Sequence, residues 1–224
     1  MASGSGDRVP GEAAPGGQGR AAGADEMRPA AQAGTAQAGA VAGEQANAAQ
    51  TAQRRSLLIV WWSMTGGTEQ LAAAAGEGAR SAAAEAGAGG AEVEVRLLRA
   101  DQAGPQQVLE ASGYLFCTPE NLATMAGMLK DFFDRSYYAA LDRINGRPYG
   151  SIVCAGSDGQ GAARQIDRIA TGWRLRQAAP PLIVCTHAQT PEAILAPKHI
   201  GAEDLARARE LGEGLAAGVA MGVW

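Results

Sequence analysis

The sequence predicts an α/β fold, a three-layer doubly wound sheet of five parallel strands in the order 2-1-3-4-5. Strand and helix signals alternate five times from Ser56 onward, which calls for parallel strands joined by helical crossovers. The first apolar run, Leu57 to Trp62, is continuous, as befits a strand buried on both faces. Ala91 to Leu98 instead alternates Val93, Val95 and Leu97 with Glu92, Glu94 and Arg96. One face of that second strand is wet, so it belongs at a sheet edge.

The remaining elements follow in order. Glu69 to about Ala86 is the first helix, alanine-rich and suited to close packing, and Gly87 to Gly90 break it. Gln106 to Glu110 reads as a short helix and Gly113 to Cys117 as the third strand. Met125, Met128, Leu129, Phe132 and Phe133 recur at helical spacing, with Lys130 and Asp134 one turn apart on the other side. Gly150 to Gly156 carries the fourth strand. The next helix shows Ile166, Ile169, Ala170 and Trp173 on one face. Pro180 and Pro181 precede the fifth strand, Leu182 to Thr186, and a last helix runs from Ala202 to about Ala220.

Binding chemistry concentrates where the first strand ends, at Ser63-Met64-Thr65-Gly66-Gly67-Thr68. A hydroxyl- and glycine-rich turn opening a helix presents free N–H groups and the positive end of the helix dipole to an anion. Lys is absent from this stretch, so it is not a triphosphate loop, and no G-x-G-x-x-G dinucleotide fingerprint follows the strand. The pattern suits a phosphate monoester held by neutral donors; the plainer alternative is a βα turn whose hydroxyls cap the helix.

The motif [ST]-x-T-G-x-T, matched by Ser63, Thr65, Gly66 and Thr68, resembles the FMN phosphate loop of the flavodoxin-like family. Thr118-Pro119-Glu120-Asn121-Leu122-Ala123-Thr124, with the helix after it, resembles the matching region of NAD(P)H-dependent FMN reductases and flavin quinone reductases. The resemblance runs from Ser56 to the end of the chain. It implies that Thr118, Pro119, Glu120, Asn121 and Leu122 contact a flavin ring. Gly156-Ser157-Asp158-Gly159-Gln160-Gly161 is the third nominated loop. Its glycines allow close backbone approach, and Asp158 and Gln160 offer groups for a pyrimidine edge. All three loops follow strands at the carboxyl end of the sheet, where such folds bind ligands.

The expected cofactor is FMN, with NAD(P)H as co-substrate and a quinone or other small electron acceptor. The alternative is a flavodoxin-type electron carrier acting on protein partners; a third reading keeps the fold without a flavin. Carriers of that type resemble each other in strong acidity and in aromatics that cover the flavin. Neither Thr118 to Thr124 nor Gly156 to Ala163 contains an aromatic residue, and the net charge is only −4. An uncovered flavin face leaves room for nicotinamide, so an enzyme is favoured. No side-chain acid or base is assigned, and no metal.

Mild acidity argues against a nucleic-acid partner. No apolar run reaches the length of a membrane span, about 18 residues or more. Cys117, Cys154 and Cys185 each sit in an apolar run without metal or disulfide spacing, and read as reduced thiols of a cytoplasmic protein. Residues 1–55 are mostly Ala, Gly, Gln and Pro, and are expected to form a disordered tail rather than a leader, ahead of a 56–224 binding domain. Homo-oligomers are an open possibility. His187 is expected to face solvent, His199 carries no signal, and Trp62, Tyr137 and Tyr138 read as packing before function.

Overall fold

The structure is a computed structural model that describes residues 54–89 and 91–224. The expected tail lies outside these residues except for Arg54 and Arg55. The fold begins earlier than residue 56, because Arg55 opens the first strand and pairs with Val93.

The first strand, β1 (Arg55–Trp61), leads into helix α1 (Gly67–Ala88) and edge strand β2 (Val93–Arg99). The short helix α2 (Pro105–Glu110) precedes β3 (Gly113–Asn121) and its partner β4 (Thr124–Met125). Helix α3 (Gly127–Ala140), β5 (Pro148–Ala155) and α4 (Gln160–Gly172) follow. The chain finishes with β6 (Arg176–Gln177), β7 (Leu182–Cys185), α5 (Pro191–Leu195) and α6 (Ala202–Met221).

The parallel sheet has the order β2-β1-β3-β5, with β6 and β7 both pairing along the outer edge of β5. Counting β6 and β7 as one interrupted strand gives the expected 2-1-3-4-5. The interruption falls at Ala178 to Pro181, where two prolines remove ladder donors. Leu57 to Val60 are fully buried, as a central strand covered on both faces requires.

The two faces are packed by different chemistry. One carries α2, α3 and α4 on an aromatic core of Tyr114, Phe116, Phe132, Phe133, Tyr149 and Trp173. Phe116 and Phe133 lie 4.9 Å apart between ring centroids, and Phe133 and Trp173 5.4 Å. The other face carries α1 and α6, packed with Ala and Gly beneath Leu57, Ile59, Leu115 and Ile152. The expected Lys130–Asp134 pair forms at 2.6 Å on the exposed side of α3.

One expectation is overturned between β3 and α3. Thr118 to Thr124, expected as a loop, is mostly strand around a tight turn. The chain stays extended to Asn121 and folds back, with Glu120 opposite Met125 and Asn121 opposite Thr124. Met125 is therefore a buried strand residue, not the first turn of the helix. The two turn residues, Leu122 and Ala123, have φ of 52° and 61°. A two-residue turn with both centres left-handed normally takes Asn-Gly, because a Cβ is strained there. Replacing Leu122-Ala123 by Asn-Gly is expected to raise stability by about 1 kcal/mol, read as a higher thermal midpoint of the flavin-free protein.

Candidate functional site

Strands β1, β3, β5 and β7 all end on one side of the sheet, and a cavity of about 540 Å³ opens there. Its floor is the turn from Ser63 to Thr68. Gly66 adopts φ 85°, ψ −13° and is the N-cap of α1, with no side chain capping the helix. The Ser63 hydroxyl is spent elsewhere, accepting from the Gly66 N–H at 3.0 Å. The capping alternative therefore fails. No side chain caps the first-turn N–H groups, which leaves them available to an anion.

Thr68 sharpens the point. It is 1% exposed, and its hydroxyl makes no well-formed hydrogen bond among the described residues, only a weak approach to the Cys154 thiol. Burying an unpartnered hydroxyl is costly, so such an atom needs a reason. Gly67 has one too: a Cβ there would lie 2.7 Å from Cys154 Sγ and 3.2 Å from Lys198 Cβ. Only glycine lets the helix start this close to the end of β5 and to the segment that follows β7.

The β3–β4 turn and the end of β5 form two further walls. The Glu120 carboxylate accepts from the backbone N–H groups of Gly159 at 2.8 Å, Gly161 at 3.1 Å and Ala162 at 3.3 Å. It thereby caps the N-terminus of α4, the favourable place for a negative charge. Thr118 is fully buried, and its Oγ1 accepts from the Ala126 N–H at 3.0 Å. Both side chains hold the wall together. Glu120→Ala should leave three amides without an acceptor and cost about 1–3 kcal/mol, seen as a lowered midpoint in thermal unfolding.

The fourth wall is Thr186 to Lys198, which sequence reasoning did not assign to the site. Thr186, Ala188, Gln189, Ile194 and Lys198 line the cavity. Gln70 fastens this segment down, donating from Nε2 to the carbonyls of Gly66 at 3.0 Å and Lys198 at 2.7 Å. The Lys198 N–H donates to Thr65 O at 2.7 Å. His187, with φ of 56°, is exposed as expected.

Among the nominated residues, Ser63, Met64, Thr65, Gly67, Thr68, Pro119, Glu120, Asn121, Leu122, Gly156 and Ser157 line the cavity together. Gly66, Thr118, Asp158, Gly159, Gln160 and Gly161 do not. Asp158 and Gln160 are exposed, and Gln160 and Gly161 belong to the first turn of α4 rather than to a loop. Gly159 is spent on helix geometry, with φ of 79° at the N-cap. Gly161 is required because a Cβ would lie 2.1 Å from Ala123 O. Trp62 turns toward the aromatic core, with Arg99 4.9 Å above its ring. Tyr137 stacks on Trp173 at 5.9 Å, while Tyr138 is exposed; neither lines the cavity.

Residues 102–184 match the family described as NADPH-dependent FMN reductase. The chain is thus similar, over 83 of its 224 residues, to flavodoxin-like FMN reductases. A flavodoxin of Aquifex aeolicus (strain VF5) is 32% identical to this chain over 105 residues, 47% of this chain and 50% of that protein. The chain thus spans about half the length of that curated relative. A flavodoxin from the domain Archaea superposes with a TM-score of 0.57 at 17% identity, covering 73% of this chain and 98% of the other. A flavodoxin, WrbA-like protein from Agrobacterium tumefaciens gives 0.56 at 15% identity, covering 75% and 98%. At such identities the two structures speak for the fold alone.

The chemistry of the residues at this site fits a flavin mononucleotide. The uncapped helix start and the orphaned Thr68 hydroxyl are donors suited to a phosphate monoester. No aromatic side chain is among the cavity-lining residues described. Cys154, on the floor, is held protonated: burial pushes its thiol up to about 11 against an opposing pull from Lys198. It is a packing atom at neutral pH, not a nucleophile. Among the described residues no helix is long and apolar enough to cross a membrane.

Proposed function

We propose that the protein is an FMN-dependent NAD(P)H oxidoreductase that passes electrons to a quinone or other small acceptor. In this reading the turn Ser63-Met64-Thr65-Gly66-Gly67-Thr68 grips the phosphate through main-chain amides and hydroxyls. Pro119, Glu120, Asn121 and Leu122 on one side and Gly156 and Ser157 on the other flank the ring. Bound flavin would supply the redox chemistry. The protein orients it, and the walls exclude water from its edges. The observation that carries the reading is the paired one at the start of α1: a helix without a cap and a buried hydroxyl without a partner.

The absence of an aromatic cover favours the enzyme over the carrier, because hydride transfer needs face-to-face approach of nicotinamide within about 3–3.5 Å of the reacting atom. The similarity to the Aquifex flavodoxin favours the carrier. An anaerobic absorption experiment separates them. The protein should show a flavin spectrum after loading with FMN, and NADH or NADPH should bleach it. Bleaching only by a reductase protein establishes the carrier, and a protein that retains no FMN sinks both.

A further inference from the structure

The sequence motif leaves the phosphate turn without a cation, but the tertiary structure delivers one. Lys198 is the only Lys or Arg among the cavity-lining residues described, and Glu120 the only acid. The two are treated differently. The Glu120 charge is absorbed by three amides of α4. Lys198 lies against the phosphate turn itself. Its N–H bonds Thr65 O, its carbonyl accepts from Gln70, and its Cβ and Cγ lie 3.2 and 3.5 Å from where a Gly67 Cβ would stand. Its ammonium is gathered back by the carbonyls of Ala193 and Ile194 at 2.8 Å and Ala196 at 2.6 Å. All three donors are used by backbone carbonyls at the exposed rim of the cavity, so the charge is held beside it. Its field reaches the floor, where it opposes the burial effect on Cys154.

We infer that Lys198 is a specificity-determining residue that makes the site discriminate a phosphorylated flavin from an unphosphorylated one. The inference rests on the proposed phosphate turn and deepens it. Neutral donors and a helix start supply only a partial positive charge for a phosphate that is nearly a dianion at neutral pH. A flexible lysine stem can trade one backbone carbonyl for a phosphate oxygen without moving the segment that carries it. A charge-assisted bond of this kind is worth roughly tenfold or more in affinity.

The test is titration of flavin-depleted full-length protein with FMN and with riboflavin, for wild type, Lys198→Met and Lys198→Arg. Methionine keeps the stem and removes the charge. Wild type should prefer FMN. Lys198→Met should bind FMN about tenfold more weakly, with its riboflavin affinity changed by less than about threefold. Lys198→Arg should keep most of the preference, and added salt should erode wild-type FMN affinity more than that of the Met variant. An unchanged FMN-to-riboflavin ratio in Lys198→Met overturns the inference. Equal weakening of both ligands also overturns it, since Lys198 would then only hold the segment in place. A wild type that binds both flavins equally or neither sinks the phosphate-turn reading instead, and the inference with it.

Discussion

Thr68→Val is expected to stabilise the flavin-free protein while weakening its hold on FMN. The two shapes are close, so the substitution exchanges a hydroxyl for a methyl in a site that is 1% exposed. In the free protein that hydroxyl has no hydrogen-bond partner. Removing an unsatisfied buried polar group recovers about 1 kcal/mol or more, or roughly 2–4 °C in the thermal midpoint of a domain this size. In the flavin-bound protein the same hydroxyl is proposed to donate to phosphate, and its loss should cost about 10-fold to 100-fold in FMN affinity. Thermal melts with and without FMN read both effects, because a ligand that binds only the folded state raises the midpoint according to its affinity. The opposite signs are the diagnostic. A hydroxyl kept for structure would lower both midpoints. One with no role in binding would leave the FMN-induced shift as large as in wild type.

The parts of this site that local sequence revealed are those built from contiguous residues. A buried strand, a hydroxyl turn and a helix lie within Leu57 to Leu71, and each element constrains the next. Periodicity located α3 and α4 because their buried faces repeat at helical spacing. The β3–β4 turn was missed because Leu122-Ala123 carries none of the chemistry that marks a left-handed turn; the fold imposes that conformation instead. The reach of the Glu120 carboxylate to amides some 40 residues away has no local signature. Lys198 was invisible for the same reason. It reaches the phosphate turn through a direct bond to Thr65 and through Gln70, both some 130 positions earlier in the chain. Side chains that bridge loops from different strands leave no periodic trace.

The other large expected effect is on the fold itself, at the small-residue face that lets α1 rest against its partner. Gly212→Ala in α6 should destabilise the protein by about 3 kcal/mol or more, although alanine is the better helix former. A Cβ at Gly212 would stand 1.9 Å from the backbone oxygen of Ala75 in α1, and one at Gly78 would stand 2.2 Å from Arg209 O. Neither obstacle is the end of a flexible side chain, so the helices must separate. Their separation would loosen the layer that covers Leu57, Ile59 and Leu115. Gly214, two positions on, supplies the control. Nothing lies within 4 Å of a Cβ there. Gly214→Ala should therefore gain the ordinary propensity difference, about 0.5–1 kcal/mol, and raise the midpoint. Chemical denaturation of both variants separates contact from propensity, since the same substitution in the same helix is expected to act with opposite sign. Equal effects would mean that α1 and α6 are not in backbone contact. The position of α1, and with it the aim of its N-terminus into the cavity, would then need another cause.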